Sequence, residues 1–221
     1  MELRGLDSTQ VWDYENAFHW FSSPTRTDKA LAQYELYKRI IGLPGHVIEF
    51  GVFKAASLIR FGTYRRLLET ETSRKIVGFD AFGSFPHAEA ESAGDRDFIS
   101  RFEDEAGDGL DREETEAVLR HKGFGNIELI EGDIADTLPE WLSLHREAQI
   151  ALLHVDVDVY EPAKLILEQC YDRVVSGGLI VLDDYNAVEG ETVAVNEFIA
   201  PRNLRVEKLP YYSVPSFIVK P

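Results

Sequence analysis

From Val47 onward, short apolar runs rich in β-branched residues alternate with helical patterns, and this alternation limits the possible folds more than any other feature. Continuous apolar strands joined by helices are typical of a parallel sheet covered by helices on both faces. Five strands are predicted, at Val47–Val52, Lys75–Phe79, Ile127–Ile130, Ile150–Val155 and Leu179–Leu182. Three helices are predicted between them, at Ser57–Glu69, Asp111–His121 and Pro162–Val175. The sequence therefore predicts an α/β fold of the doubly wound, Rossmann-like kind.

Several helix ends carry recognisable capping signals. Asp111, followed three residues later by Glu114, matches the pattern of a capping box. Gly177-Gly178 suits the end of the helix that starts near Pro162. Near the N-terminus, Thr27 or Asp28 suits the N-cap of an earlier helix, because both side chains can accept a hydrogen bond from a backbone N–H of the first turn.

The two ends of the chain depart from the alternation. Leu204–Leu209 and Ser216–Val219 are strand-like runs with no helical pattern between them, which predicts a C-terminal antiparallel hairpin on the sheet. A plain doubly wound fold with a loose tail is the alternative. Residues 1–44 are predicted to be a helical lid or extension, and residues 45–221 a Rossmann-like core, within a single domain. Phe82–Gly109 is a long polar stretch, and segments of that kind are lids, substrate-contacting insertions or disordered loops.

Composition narrows the range of partners. A formal net charge of −16 argues against a nucleic-acid partner, because phosphate backbones attract Lys and Arg. No segment approaches the ~20 apolar residues of a membrane span, so no membrane partner is expected. The single cysteine, Cys170, fits a helical core position, and a cytoplasmic location is predicted. The aromatic residues near the N-terminus could form core packing, a lid, an acceptor wall or the subunit contact of an expected homo-oligomer: Trp12, Tyr14, Phe18, Trp20 and Phe21.

Three predicted strands end in residues that suit an adenosine-containing ligand. In open α/β sheets, ligands bind beyond the carboxyl ends of the strands. Asp80, at the second tip, could accept hydrogen bonds from ribose hydroxyls, and Asp133, at the third, could reach an adenine amino group; ordinary turn or capping roles are the alternatives. The first tip lacks the three-glycine dinucleotide fingerprint, which disfavours a nicotinamide cofactor. Its candidate cofactor-binding residues are Glu49, Gly51, Val52, Phe53 and Ser57.

The fourth and fifth predicted strands end in four carboxylates. Asp156 and Asp158 follow one strand, and Asp183 and Asp184 follow the next. Burying that many like charges without a counter-ion is costly, and a hard divalent cation such as Mg²⁺ resolves the conflict. Solvated turn residues or helix caps are the alternative. His154, deeper in the same strand, is interpreted as a hydrogen-bonded core histidine rather than a catalytic one.

With these motifs in place, the chain resembles the macrocin O-methyltransferase family of sugar O-methyltransferases. The resemblance runs from about Tyr34 to Phe198 and rests on five blocks: Glu49–Phe53, Gly78–Phe82, Gly132-Asp133 with Thr137–Pro139, Asp156–Glu161, and Gly177-Gly178 leading to Asp183–Tyr185. It implies a class I methyltransferase fold with a seven-stranded sheet and S-adenosylmethionine as cofactor. Two departures are an Ala55-Ala56 pair where the family has glycines and an N-terminal region shorter than that of macrolide-modifying members.

The resemblance also implies residue roles. The family's cofactor-binding positions match Glu49, Gly51, Asp80 and Asp133. Its magnesium ligands match Asp156, Asp183 and Asp184, and its proposed general base matches Asp158. The expected activity is methylation of a hydroxyl on a nucleotide-linked deoxyhexose or a small glycoside. Two alternatives are a metal-dependent phosphohydrolase that uses Asp156 and Asp158, and a non-catalytic module that binds a nucleotide or sugar.

Overall fold

The computed structural model describes residues 1–83 and 93–221. The chain begins with a short hairpin of β1 (Glu2–Leu3) and β2 (Leu6–Asp7). The main sheet of the described residues has seven further strands: β3 (His46–Phe50), β4 (Ile76–Asp80), β5 (Ile127–Glu131), β6 (Ile150–Val155), β7 (Val174–Leu182), β8 (Glu207–Leu209) and β9 (Tyr212–Val219). Their order across the sheet is β5-β4-β3-β6-β7-β9-β8. Strands β3 to β7 are parallel and β9 is antiparallel to β7 and β8, which confirms the predicted mixed sheet.

Helices cover both faces of this sheet. Their bounds in the described part of the chain are α1 (Val11–Phe21), α2 (Pro24–Ile40), α3 (Ala56–Leu68), α4 (Ala93–Ala106), α5 (Arg112–Lys122), α6 (Ile134–Leu144), α7 (Tyr160–Cys170) and α8 (Glu189–Ile199). Successive residues of β3 face opposite sides. Ile48 packs in an apolar cluster with α7 and α8, and Val47 packs in a second cluster with α2 and α3. The sheet is therefore buried on both faces. Across the described residues, no helix is long and apolar enough to cross a membrane.

Two predicted helix ends are wrong, and each has a physical reason. Helix α2 begins at Pro24 with Ser23 as its N-cap, because proline at the first helical position needs no hydrogen-bond partner for its nitrogen. Thr27 and Asp28 therefore lie inside the helix. Helix α7 ends at Cys170, and Gly177-Gly178 lie inside β7, where the pairing with β6 shifts register. Gly177 has φ +79°, which suits an irregular strand as well as a helix end.

The capping box and the core cysteine agree with the sequence. Asp111 accepts a hydrogen bond from the backbone N–H of Glu114, whose carboxylate accepts one from Asp111 in return. Cys170 is fully buried, and burial raises its thiol pKa to about 12. The polar stretch Phe82–Gly109 contains α4, which sequence patterning missed. Its segment 84–92 lies outside the described residues.

Candidate active site

A cavity of about 350 Å³ lies at the carboxyl ends of the parallel strands, where the strand order reverses between β3 and β6. This is the position at which open α/β sheets bind ligands. Ten of the eleven predicted site residues line it: Gly51, Val52, Phe53, Ser57, Asp80, Asp133, Asp156, Asp158, Asp183 and Asp184. The eleventh, Glu49, is fully buried at the end of β3. The structure thus brings the predicted residues to one place.

The loop after β3 holds an unusual series of backbone conformations. Gly51 has φ +88°, and a Cβ atom there would overlap with the carbonyl oxygen of Asp156. Phe53 and Ala55 have φ values of +49° and +59°, a region that non-glycine residues seldom adopt. Ala55 is the N-cap residue of α3. This chain therefore forms the turn with an alanine at a position where glycine is expected from the family that its sequence resembles. Gly51 therefore also lets the first strand tip approach the acidic one.

Asp80 fixes that loop from the neighbouring strand. Its Oδ2 accepts hydrogen bonds from the backbone N–H groups of Val52, at 2.6 Å, and Phe53, at 2.8 Å. Its Oδ1 accepts a third from the N–H of Phe82, at 2.6 Å. Asp133 is the N-cap residue of α6, because its Oδ1 accepts a hydrogen bond from the backbone N–H of Ala135 at 2.7 Å. Both acids have the local roles named as alternatives, and both also line the cavity. Their contacts to a ribose and an adenine stay predictions.

A chain of buried polar groups connects the two sides of the site. Ser57 donates a hydrogen bond to Glu49. Glu49 Oε1 lies 3.3 Å from Nδ1 of His154, and Nε2 of His154 lies 3.3 Å from Oδ1 of Asp183. All four side chains are buried. His154 is therefore a core histidine held by two carboxylates, in agreement with the interpretation from sequence.

Lys29 of α2 reaches into the acidic end of the cavity. Its ammonium donates a hydrogen bond to Oδ2 of Asp183. Burial alone lowers the Lys29 pKa, but Asp156 and Asp183 outweigh burial and raise it. Burial also lowers the pKa of His154, and Asp183 and Glu49 raise it to about 10. In turn, burial favours the neutral form of Asp183, but Lys29 and His154 hold its pKa below the usual value. Asp183 is thus an ionised carboxylate between two cations.

In the other acids, burial and neighbouring negative charges outweigh such compensation. Burial, followed by the charge of Asp183, raises the pKa of Asp156 well above its usual value. Burial and the neighbouring Asp158 do the same for Asp184. Burial raises the pKa of Glu191, at the start of α8, and Asp183 adds to the effect. Three carboxyl groups that resist ionisation beside one that is ionised form a site that a divalent cation would stabilise.

The donor set fits such a cation. Among the described residues, the group whose ligand atoms lie within 4.8 Å of one another is His154, Asp156 and Asp183. Both ring nitrogens of His154 already lie 3.3 Å from carboxylate oxygens of Glu49 and Asp183, and His154 does not line the cavity. Asp184 is not in that group, but within the described structure its Oδ2 is buried without a hydrogen-bond partner. Oxygen ligands of this kind suit Mg²⁺. The metal roles of Asp156, Asp183 and Asp184 stay predictions.

Asp158 stands beside this group in a strained conformation. Its φ is +64°, uncommon for a residue other than glycine, although Asp and Asn tolerate it better than most. Such strain clusters at functional sites. Its charge contributes to the raised pKa of Asp184 and Asp156, so its carboxyl group lies near both. Sequence patterning missed Lys29 and Glu191, because neither has a local motif that links it to the strand tips.

Comparison with known proteins decides the family. The sequence model of the Macrocin-O-methyltransferase (TylF) family matches residues 32–210. The chain belongs to this family. A relative from Streptomyces olivaceus, 8-demethyl-8-(2,3-dimethoxy-alpha-L-rhamnosyl)-tetracenomycin-C 4'-O-methyltransferase, is 28% identical over 161 residues. The match covers 71% of this chain and 59% of that relative, so the chain spans less than two thirds of its length.

Two solved structures of O-methyltransferases have the same fold. CalS11, a TDP-rhamnose 3'-O-methyltransferase of calicheamicin biosynthesis, aligns with a TM-score of 0.68 and 23% identity over 97% of this chain and 86% of its own. The O-methyltransferase NovP aligns with a TM-score of 0.73 and 22% identity over 86% of this chain and 78% of its own. The macrocin O-methyltransferase family member described here therefore has the class I methyltransferase fold, and the predicted resemblance is confirmed.

Proposed function

We propose that this protein is an S-adenosylmethionine- and Mg²⁺-dependent O-methyltransferase that methylates a hydroxyl group of a sugar, either a nucleotide-linked deoxyhexose or a small glycoside. The observation that carries the proposal is the arrangement of the cavity. Its wall at β3, β4 and β5 is a preformed backbone loop, and its wall at β6 and β7 is a group of carboxylates that lacks enough positive charge. The first suits a cofactor and the second a cation with a hydroxyl-rich acceptor.

The relatives support a sugar acceptor. The Streptomyces olivaceus protein is named as a 4'-O-methyltransferase of a rhamnosyl compound, and CalS11 as a TDP-rhamnose 3'-O-methyltransferase. In both names the methylated position is a hydroxyl of a deoxyhexose. Family membership makes the same acceptor class the best starting point for this chain.

The proposed mechanism gives each wall one task. Asp156, Asp183 and Asp184 would hold the cation, which when bound lowers the pKa of hydroxyl groups that it contacts. Asp158 would accept the proton of the acceptor hydroxyl. The cofactor, when bound, would supply a methyl group whose bond to sulfur breaks as the bond to the sugar oxygen forms. The loop at Gly51 and the acids Asp80 and Asp133 orient the cofactor. Since the methyl donor is already activated, positioning supplies much of the acceleration.

A methyl-transfer screen tests this proposal. The purified protein is incubated with S-adenosylmethionine labelled in its methyl group and with TDP-rhamnose, other nucleotide deoxysugars and simple glycosides, with Mg²⁺ or with excess EDTA. We expect label in at least one sugar in Mg²⁺ and none in EDTA. Phosphate release from phosphoesters in place of methyl transfer would support the phosphohydrolase instead. Cofactor binding without transfer to any diol would support a binding module. The cytoplasmic location and the homo-oligomer stay predictions.

A further inference from the structure

Glu191 is a buried acid at the cation site that sequence analysis did not select. It lies in the first turn of α8 and is fully buried. Its Oε1 accepts a hydrogen bond from the backbone N–H of Asp184, at 3.1 Å. Its own backbone N–H donates to the carbonyl oxygen of Asp158, at 3.1 Å. One residue therefore connects the loop that carries the proposed general base to the loop that carries a proposed metal ligand.

The second oxygen of Glu191 has no such contact. Throughout the described residues, no group donates a hydrogen bond to Glu191 Oε2, although the atom is buried. The same is true of Oδ2 of Asp184. An unsatisfied buried acceptor costs about 1–3 kcal/mol, and more when it is charged. Two such acceptors on residues already joined by a hydrogen bond indicate a ligand that supplies positive charge or hydrogen-bond donors.

A hydrated Mg²⁺ ion supplies both. Mg²⁺ keeps several of its water molecules when proteins bind it, and those waters are hydrogen-bond donors. Loss of a carboxylate that accepts such a bond, or that orients a direct ligand, typically weakens metal binding by about 10- to 100-fold. The position of Glu191 in the first turn of α8 also favours a negative charge, since the N-terminus of a helix carries a partial positive charge.

We infer that Glu191 is a further positioning residue of the cation site: it holds Asp184 through one carboxylate oxygen and accepts a hydrogen bond from a water of the hydrated cation through the other. The inference rests on the proposed function, because it assumes that Mg²⁺ binds at Asp156, Asp183 and Asp184. It adds a carboxylate from α8 to the three proposed metal ligands at the tips of β6 and β7.

Glu191→Gln tests the inference with little change of shape. Glutamine keeps one oxygen for the N–H of Asp184, but its amide then presents a donor where an acceptor is required. Turning the amide round places the donor against the N–H of Asp184 instead. We expect the Kd for Mg²⁺, measured by calorimetric titration of MgCl₂ into the full-length protein, to rise by about 10- to 100-fold. Glu189→Gln is the matched control, because Glu189 lies in the same helix turn and is exposed. Its Kd should stay within about twofold of the wild type.

Thermal unfolding in EDTA separates this role from a purely structural one. If Glu191 only holds the fold through the N–H of Asp184, Glu191→Gln keeps that hydrogen bond and leaves the Mg²⁺ Kd unchanged, and the inference is overturned. Our account predicts a weaker Kd with an unfolding temperature in EDTA no lower than that of the wild type, because glutamine is neutral and keeps an oxygen for the N–H of Asp184. If Glu191→Gln does not fold, Glu191→Asp is used instead, because it keeps the carboxylate but shortens the side chain by one methylene. An unchanged Mg²⁺ Kd in Glu191→Asp would also overturn the inference. A wild-type protein that binds no Mg²⁺ would refute the proposed metal role itself, which is a different result.

Discussion

The two walls of the cavity satisfy their buried polar groups in opposite ways. At the tips of β4 and β5, Asp80 and Asp133 already accept hydrogen bonds from backbone N–H groups of the adjoining loops. At the tips of β6 and β7, oxygens of Asp184 and Glu191 are left without a donor in the described structure. We call the first the loop wall and the second the acid wall. Asp80 and Asp133 are therefore satisfied by contacts within the chain, whereas we propose that the acids of the second wall depend on an added cation.

The acid wall includes a contact between residues much further apart in sequence than those of the loop wall. Each acid of the loop wall bonds to residues of its own turn or of the adjacent strand tip. In the acid wall, Asp183 contacts Lys29, which is 154 positions away in sequence. The loop wall is therefore expected to keep its shape in any buffer, whereas the acid wall should respond to divalent cations. The predictions below test that contrast.

The largest effect is expected from removal of an acid-wall ligand. Asp184→Ala should lower kcat/KM by about 10³-fold and abolish the response to Mg²⁺, because several kcal/mol of charge stabilisation are lost. Steady-state methyl transfer at increasing Mg²⁺ measures both. Asp172→Ala, which removes an exposed carboxylate after α7, is the control and should behave as the wild type. Full activity of Asp184→Ala without added metal would show that the acid wall needs no cation.

Asp158→Asn separates proton transfer from metal binding within the acid wall. Asparagine tolerates a positive φ as well as aspartate does, so the backbone should be preserved. We expect kcat to fall by about 10²-fold, at the lower end of the range for loss of a general base, while the Mg²⁺ Kd stays near the wild-type value. Single-turnover kinetics together with a Mg²⁺ titration check this. An unchanged kcat would remove Asp158 from the mechanism.

Gly51→Ala tests the close contact between the two walls of the cavity. The added Cβ would overlap with the carbonyl oxygen of Asp156, and the positive φ adds strain. We expect the free energy of unfolding to fall by about 3 kcal/mol, with weaker binding of both S-adenosylmethionine and Mg²⁺. Denaturant unfolding and ligand titrations measure these changes. Gly42→Ala is the control, because no described atom lies within 4 Å of its added Cβ. Equal stability of the two variants would contradict the close approach.

The smallest effect is expected for a substitution of Lys29, which should strengthen Mg²⁺ binding rather than weaken it. The Lys29 ammonium neutralises Asp183 in the acid wall, so a divalent cation must compete with it. Lys29→Met should lower the Mg²⁺ Kd by about tenfold, equivalent to 1.4 kcal/mol, and should destabilise the metal-free protein. Calorimetry and thermal unfolding with and without Mg²⁺ check both effects. Lys38→Met changes an exposed lysine of the same helix and should change neither. A weaker Mg²⁺ affinity in Lys29→Met would mean that Lys29 assists the cation.

Much of the fold could be predicted from sequence patterns because the strands are buried on both faces. Continuous apolar runs such as Ile150–Val155 mark parallel strands directly, and the tips of those strands then identify the acids. Helix ends were harder. Ser23-Pro24 and Thr27-Asp28 are both acceptable starts for α2, and the helix uses the earlier one, where proline takes the first helical position. Glycines occur both at helix ends and in irregular strands, so Gly177 did not distinguish the two.

The contacts that sequence could not supply are those between distant elements. Lys29 reaches Asp183 only because α2 packs across the sheet, and nothing near Lys29 in sequence signals that. Glu191 had no motif either, although its short distance in sequence from Asp183 and Asp184 could have marked it as a candidate. His154 was correctly interpreted as a core residue, but its position between Glu49 and Asp183 depends on the register of β3 and β6. Sequence therefore identifies the acids at the strand tips, and packing brings Lys29 and Glu191 to them.

Diffraction from crystals grown with Mn²⁺ in place of Mg²⁺ tests the central claim most directly, because the anomalous signal of Mn²⁺ marks its position without reference to activity. We predict one strong anomalous peak among the carboxylates of Asp156, Asp183 and Asp184, with the Lys29 ammonium moved away from Asp183. Crystals with saturating Mn²⁺ that show no peak there, and in which Lys29 still binds Asp183, would contradict the account.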